Sequence, residues 1–189
     1  MPYISLPDEQ PGIVGLLRYR PDTGAILNQL AEVLLRGENT LTRGERELIA
    51  AHVSTLNSCE FCASSHAAFA AAQHPGGADF VEAARVDPDY SEVTAKLRTL
   101  LRIAGAVRHS GQDVTPELVA AARAEGATDA EIHDTVLIAA AFSLFNRYVD
   151  GLGTSLPADA SYYQQSARAI VEHGYARTTA MDVEGVGRG

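Results

Sequence analysis

Cys59 and Cys62 are the only cysteines of this chain, and two residues separate them in Asn57-Ser58-Cys59-Glu60-Phe61-Cys62-Ala63-Ser64-Ser65-His66. Two thiols at that spacing can close and reopen a disulfide, and the thiolate is the form that attacks a peroxide oxygen or a disulfide sulfur. His66 stands four positions after the second cysteine, and Glu47 stands twelve positions before the first. An imidazole near a thiol can take its proton, and a carboxylate can orient and charge-balance that imidazole. The chemistry open to these four residues is attack on a hydroperoxide to give a sulfenic acid, followed by condensation with the second thiol to a disulfide. An external reductant then regenerates the dithiol.

That geometry needs a helix to begin at the first cysteine. Asn57-Ser58 breaks the preceding helical pattern, and Ser58 is a natural N-cap for a helix over residues 59–73. On such a helix Cys59, Cys62 and His66 fall within about 60° of arc, on one face. The positive end of the helix dipole favours a thiolate, and on that ground alone Cys59, nearest the end, is the better nucleophile. Glu47 belongs to the helix before. The capping box Thr42-Arg43-Gly44-Glu45 opens that helix, which continues through Leu48, Ile49, His52, Val53 and Leu56. His52 reads as structural or pocket-lining. The bland alternatives are two small buried thiols, a half-exposed His66 and a solvated Glu47.

The remaining elements follow from periodicity and punctuation. Residues 1–22 carry four prolines and read as an extended arm. A helix begins near Thr23, with Ile26, Leu27, Leu30, Val33 and Leu34 on one face, and stops at Gly37. Further helices are expected over residues 78–84, 91–108, 116–124 and 161–173. A second capping box, Thr128-Asp129-Ala130-Glu131, opens a long apolar helix that ends at Gly151-Leu152-Gly153. No segment reads as a strand, so the fold class is all-α, with one domain over residues 23–177 and a loose tail over 178–189. Each capping box is followed two places later by an ionisable residue, Glu47 or His133, which suggests two related helical hairpins.

Composition narrows the function further. With 24 acidic and 15 basic side chains the net charge is −9, which repels phosphate backbones and anionic lipid. Nucleic acid and membrane are therefore not expected partners. The N-terminus lacks a basic start followed by an apolar run, so a cytoplasmic protein is expected. There a close cysteine pair is more often catalytic or metal-binding than a structural staple. Zinc would draw on Cys59, Cys62 and His66 with Glu47 or His52, but three ligands on one helical face make a poor tetrahedron. Neither a metal nor a cofactor is expected.

The pattern of Glu47, Cys59, Cys62 and His66 at this spacing resembles the active site of alkyl hydroperoxidase D-like (AhpD-like) proteins, of the carboxymuconolactone decarboxylase superfamily. The stretches from Leu41 to Ile49 and from Asn146 to Gly153 resemble its branch of peroxidase-related enzymes. The resemblance implies an AhpD-like helical bundle, assembled as a homo-oligomer, trimer or hexamer. It implies a thiol-dependent peroxidase or disulfide reductase with an antioxidant role, acting on a hydroperoxide and recharged by a thiol or protein reductant. It also implies that Cys62 attacks and Cys59 resolves, with His66 and Glu47 as the proton relay. The dipole argument picks the other thiol; the proximity of His66 to Cys62 favours the family's assignment. Phe61 stands where the best-studied members carry a histidine, which leaves one relay candidate fewer. Two further readings are a thiol-independent lactone decarboxylase of the same superfamily and a non-enzymatic redox-sensing oligomer.

Overall fold

The computed structural model describes the backbone of residues 1–184 and the side chains of residues 1–175. Its helices are α1 (Ile13–Tyr19), α2 (Pro21–Arg36), α3 (Arg43–Leu56), α4 (Glu60–Ala71), α5 (Gly77–Val86), α6 (Ala95–His109), α7 (Pro116–Ala124), α8 (Asp129–Gly151) and α9 (Ser161–Glu184). Among the described residues there is no strand, and no helix is long and apolar enough to cross a membrane. The fold is all-α.

α3 is the centre of the bundle, packed against α4, α5, α6 and α8. Its residues from Arg46 to Ser54 are all buried, so this helix is enclosed on every side. Leu48, Ile49, Ala50, Ala51 and Val53 meet Leu97, Leu100 and Leu101 of α6 and Ile138 and Phe142 of α8 in one core. The Thr42 capping box forms as expected, with Glu45 N–H donating to Thr42 Oγ1 at 3.1 Å and Thr42 N–H to Glu45 Oε2 at 2.8 Å. The second box forms at Thr128 and Glu131. Such caps are each worth about 1 kcal/mol.

The break between α3 and α4 is built differently from the expectation. Ser58 has φ 59° and closes α3 instead of opening α4. Ser58 N–H donates to Thr55 O, and Cys59 N–H to Ser54 O, each at 3.0 Å. These are the paired bonds of a Schellman turn, in which the left-handed residue satisfies the last carbonyls. Cys59 therefore becomes the N-cap, and α4 starts one residue later, at Glu60.

The proline-rich start also departs from an extended arm. Residues 1–12 hold no helix, but α1 forms between Pro11 and Pro21 and buries Leu16 and Leu17. Pro21 is tolerated because it occupies the first position of α2, where its missing N–H has no helical partner to lose. On α2 the buried side is Ala31, Leu34 and Leu35, while Ile26 and Val33 face outward. α6, expected from residue 91, starts at Ala95 and is capped by Thr94. α9 passes the stop expected at His173, with a break at Gly174, and continues to Glu184; residues 185–189 of the expected loose tail lie outside the described residues. Both capped helices pack in the bundle: α3 pairs with α4, α8 packs on α6 and α3, and α9 packs on α4 and α2.

Candidate active site

The Schellman turn folds α4 back along α3 and brings two distant side chains together. Nδ1 of His66 lies 2.7 Å from Oε2 of Glu47. Glu47 is fully buried and His66 keeps 12% of its side-chain surface, so neither is the solvated residue of the bland reading. With Nδ1 committed to the carboxylate, Nε2 is the nitrogen left to exchange a proton. Phe69 and Phe142 set their ring edges against the imidazole, with centroids at 5.1 and 4.5 Å, and hold its plane.

Both cysteines are buried free thiols. They are neighbours: the hydrogen bond with the Cys62 thiol is the largest influence that raises the Cys59 pKa, with burial second and the Asp150 carboxylate also contributing. The amide of Cys62 at the helix start pulls the other way and is outweighed. The Cys59 thiol is thus pushed up, opposite to the direction in which the helix dipole alone would move it. Cys62 is four residues before His66, on the same face of α4. Among the described residues no group of three or more His, Cys, Asp or Glu side chains is placed to hold a metal ion.

Residues 21–106, which contain all four of these side chains, match the family model described as carboxymuconolactone decarboxylase family. A search of curated proteins gives no match. Among solved structures, an uncharacterized peroxidase-related protein from Silicibacter sp. TM1040 superposes with TM-score 0.73 at 23% identity, over 84% of this chain and 81% of its own. A second, from Ralstonia eutropha JMP134, is described as an alkylhydroperoxidase AhpD core and peroxidase-related protein. It superposes with TM-score 0.71 at 27% identity over the same shares. The AhpD-like fold thus extends beyond the matched family segment.

Two adjoining cavities, both partly open, lie against these side chains. The inner one, about 60 Å³, is lined by Cys62 and His66 together with Leu27, Phe142 and Phe145. The outer one, about 210 Å³, is lined by Val14, Arg18, Phe69, Tyr162 and Ile170. Ile13, Leu17, Asn28, Phe61, His66 and Tyr175 line both. Helix α1 forms part of the wall, so the segment expected to be an arm closes the site. Phe61 packs on Gly12, whose φ of 57° and lack of a side chain both serve the contact; a Cβ there would lie 2.2 Å from the Phe61 ring.

Several residues here escaped the sequence reading. Tyr175 Oη donates to Oε1 of Glu47 at 2.7 Å. The Asn146 amide donates to Ser54 Oγ at 3.1 Å, and Asn57 donates to Asn146 Oδ1 at 2.8 Å, bracing the turn that carries Cys59. Arg108 reaches the same turn, with Nε 2.9 Å from Asn57 Oδ1. No spacing rule connects these positions to the cysteines. Of the other ionisable residues, His52 is buried against Arg85 O at 2.8 Å, and His133 is exposed beside Asp134. Both lie outside the cavities that Cys62 and His66 line.

Proposed function

We propose that this protein is a thiol-dependent hydroperoxidase of the AhpD-like type, working through Cys62, Cys59, His66 and Glu47. The observation that carries the reading is Cys62 and His66 on the wall of one cavity, with His66 held by Glu47. Nε2 of His66 takes the Cys62 proton. The thiolate attacks the terminal oxygen of a hydroperoxide, the O–O bond breaks, and the alkoxide leaves with a proton as an alcohol. Cys59 then attacks the Cys62 sulfenic acid, expelling water and leaving a disulfide. A dithiol reductant returns the pair to two thiols and is itself oxidised.

The hydrogen bond with Cys62 and then burial raise the Cys59 thiol, which supports its role as the second thiol. The largely apolar outer cavity supports organic hydroperoxides as substrates. A homo-oligomer, trimer or hexamer, is supported by Leu137 and Leu144 on α8 and Ile26 and Val33 on α2, large apolar side chains left exposed. The test is consumption of an organic hydroperoxide with a dithiol reductant, for the native protein and Cys62→Ser. Loss of turnover in the variant is expected, and equal rates would end the reading.

The family description favours a second reading, a lactone decarboxylase in which the Glu47–His66 pair acts without thiols. It requires activity on a lactone acid that survives replacement of both cysteines.

A further inference from the structure

Glu47 has no exposed side-chain surface, and its two carboxylate oxygens are held by different elements. Oε2 meets His66 of α4, and Oε1 accepts from the hydroxyl of Tyr175 on α9, each at 2.7 Å. The Tyr175 ring also lies nearly parallel to the imidazole, with centroids 6.3 Å apart and planes at 15°.

This placement has its own scaffold. α9 breaks at Gly174, where φ is 76°. A Cβ at Gly174 would stand 2.5 Å from Oε2 of Glu32 and 3.0 Å from Nε of Arg36, so a side chain there is excluded. The same Glu32 oxygen accepts the backbone N–H of Tyr175 at 2.7 Å. Arg36 bonds Glu32 through Nε at 3.2 Å, and its Nη1 donates to the Ile170 carbonyl at 2.8 Å. One ion pair on α2 thus grips both sides of the break and aims Tyr175 into the site.

We propose that Tyr175 is a positioning residue for the Glu47–His66 pair. Its hydroxyl fixes one carboxylate oxygen so that the other is always presented to Nδ1, which keeps the lone pair on Nε2. This rests on the catalytic reading of Cys62 and His66 given above for its effect on rate, but the effect on the imidazole does not. Burial, and then the Glu47 charge, pushes the Tyr175 hydroxyl well above the usual tyrosine range, so it stays a donor. The charged and titratable groups around this arrangement are His66 from α4, Glu32 and Arg36 from α2, and Arg46 beside Glu47 on α3; α8 presents Phe142.

Tyr175→Phe keeps the ring and removes only the hydroxyl. Two measurements are made on it: the ¹⁵N shifts of the His66 ring, which report the tautomer without any substrate, and the pH profile of the single-turnover reaction with an organic hydroperoxide. In the native protein a single Nδ1–H tautomer is expected, and in the variant a mixture. The single-turnover rate should fall about tenfold, the worth of a hydrogen bond to a charged group, and its acid limb should move up by about one pH unit. A variant with the native tautomer overturns the proposal, whether or not its rate changes, because a slower rate alone is what lost packing would give. Gly174→Ala, which displaces Tyr175 with its hydroxyl intact, should mix the tautomers too and serves if the first variant does not fold. A native protein with no peroxidase activity but a tautomer that depends on Tyr175 would sink the functional reading and leave the positioning role standing.

Discussion

The imidazole of His66 and the carboxylate of Glu47 meet at 2.7 Å across the turn that joins α3 to α4, and the carboxylate has no exposed surface. A buried acid with a single hydrogen-bonded base is an expensive arrangement to maintain, and such pairs concentrate where protons are moved. Its consequences can be tested one residue at a time.

Glu47→Gln removes the charge and keeps the shape. The first, peroxide-consuming step is expected to slow by roughly a hundredfold, in the range of a displaced acid–base partner. Stopped-flow measurement of that step at fixed pH checks this; a change of less than about threefold would remove Glu47 from the relay.

Cys59→Ser separates attack from resolution. The variant should still consume one equivalent of peroxide, because Cys62 faces the cavity, but it should stall as a sulfenic acid. Trapping with a sulfenate-specific dione and locating the adduct by mass spectrometry decides it. An adduct that fails to form on Cys62 would reverse the assigned roles.

Glu131 links stability to pH. Its buried carboxylate accepts from Lys96 Nζ and Thr40 Oγ1, both at 2.8 Å, and from the Thr128 amide. Burial raises its pKa, but the Lys96, Thr128 and Thr40 bonds together outweigh it and hold the group below the ordinary glutamate value of 4.5. A lowered folded value means stability that is present above that ordinary value and is lost as pH falls through the folded one. Glu131→Gln should cost about 2 kcal/mol at neutral pH, and the difference from the native protein should shrink in acid. Denaturant melts at pH 7 and at acid pH give both quantities, and a gap that widens in acid would contradict the linkage.

Gly12→Ala meets two obstacles, a positive φ and the Phe61 ring. The variant should lose about 2 kcal/mol of stability. In a Phe61→Ala background the steric part vanishes and only the backbone strain remains, so the same change should cost about half as much. A double-mutant cycle by thermal unfolding reads the coupling, and strict additivity would show that the contact does not anchor the arm.

The caps and the dithiol motif were legible because they are short-range. Thr42 and Glu45, or Thr128 and Glu131, satisfy orphan amides three residues away, and that geometry holds in any helix start. Ser58 misled for a related reason: serine is a good N-cap, but here the chain needed a left-handed residue to end α3 before it could begin α4. Four prolines disguised α1, since Pro11 and Pro21 flank the helix without entering it. The outward faces of Ile26 and Val33 were equally unreadable, because periodicity shows an apolar stripe and not which part of it a neighbour covers.

The four residues with chemistry to offer, and the helical scaffold for three of them, are properties of local sequence. Spacing on one helix sets which side chains share a face, and no other part of the chain can alter that. The raised Cys59 thiol, the burial of Glu47 and the arrival of Tyr175, 128 residues away from it, belong to packing. Desolvation and hydrogen bonding are set by whatever closes over a group, and for this site the closing pieces are α1, α8 and the broken helix α9.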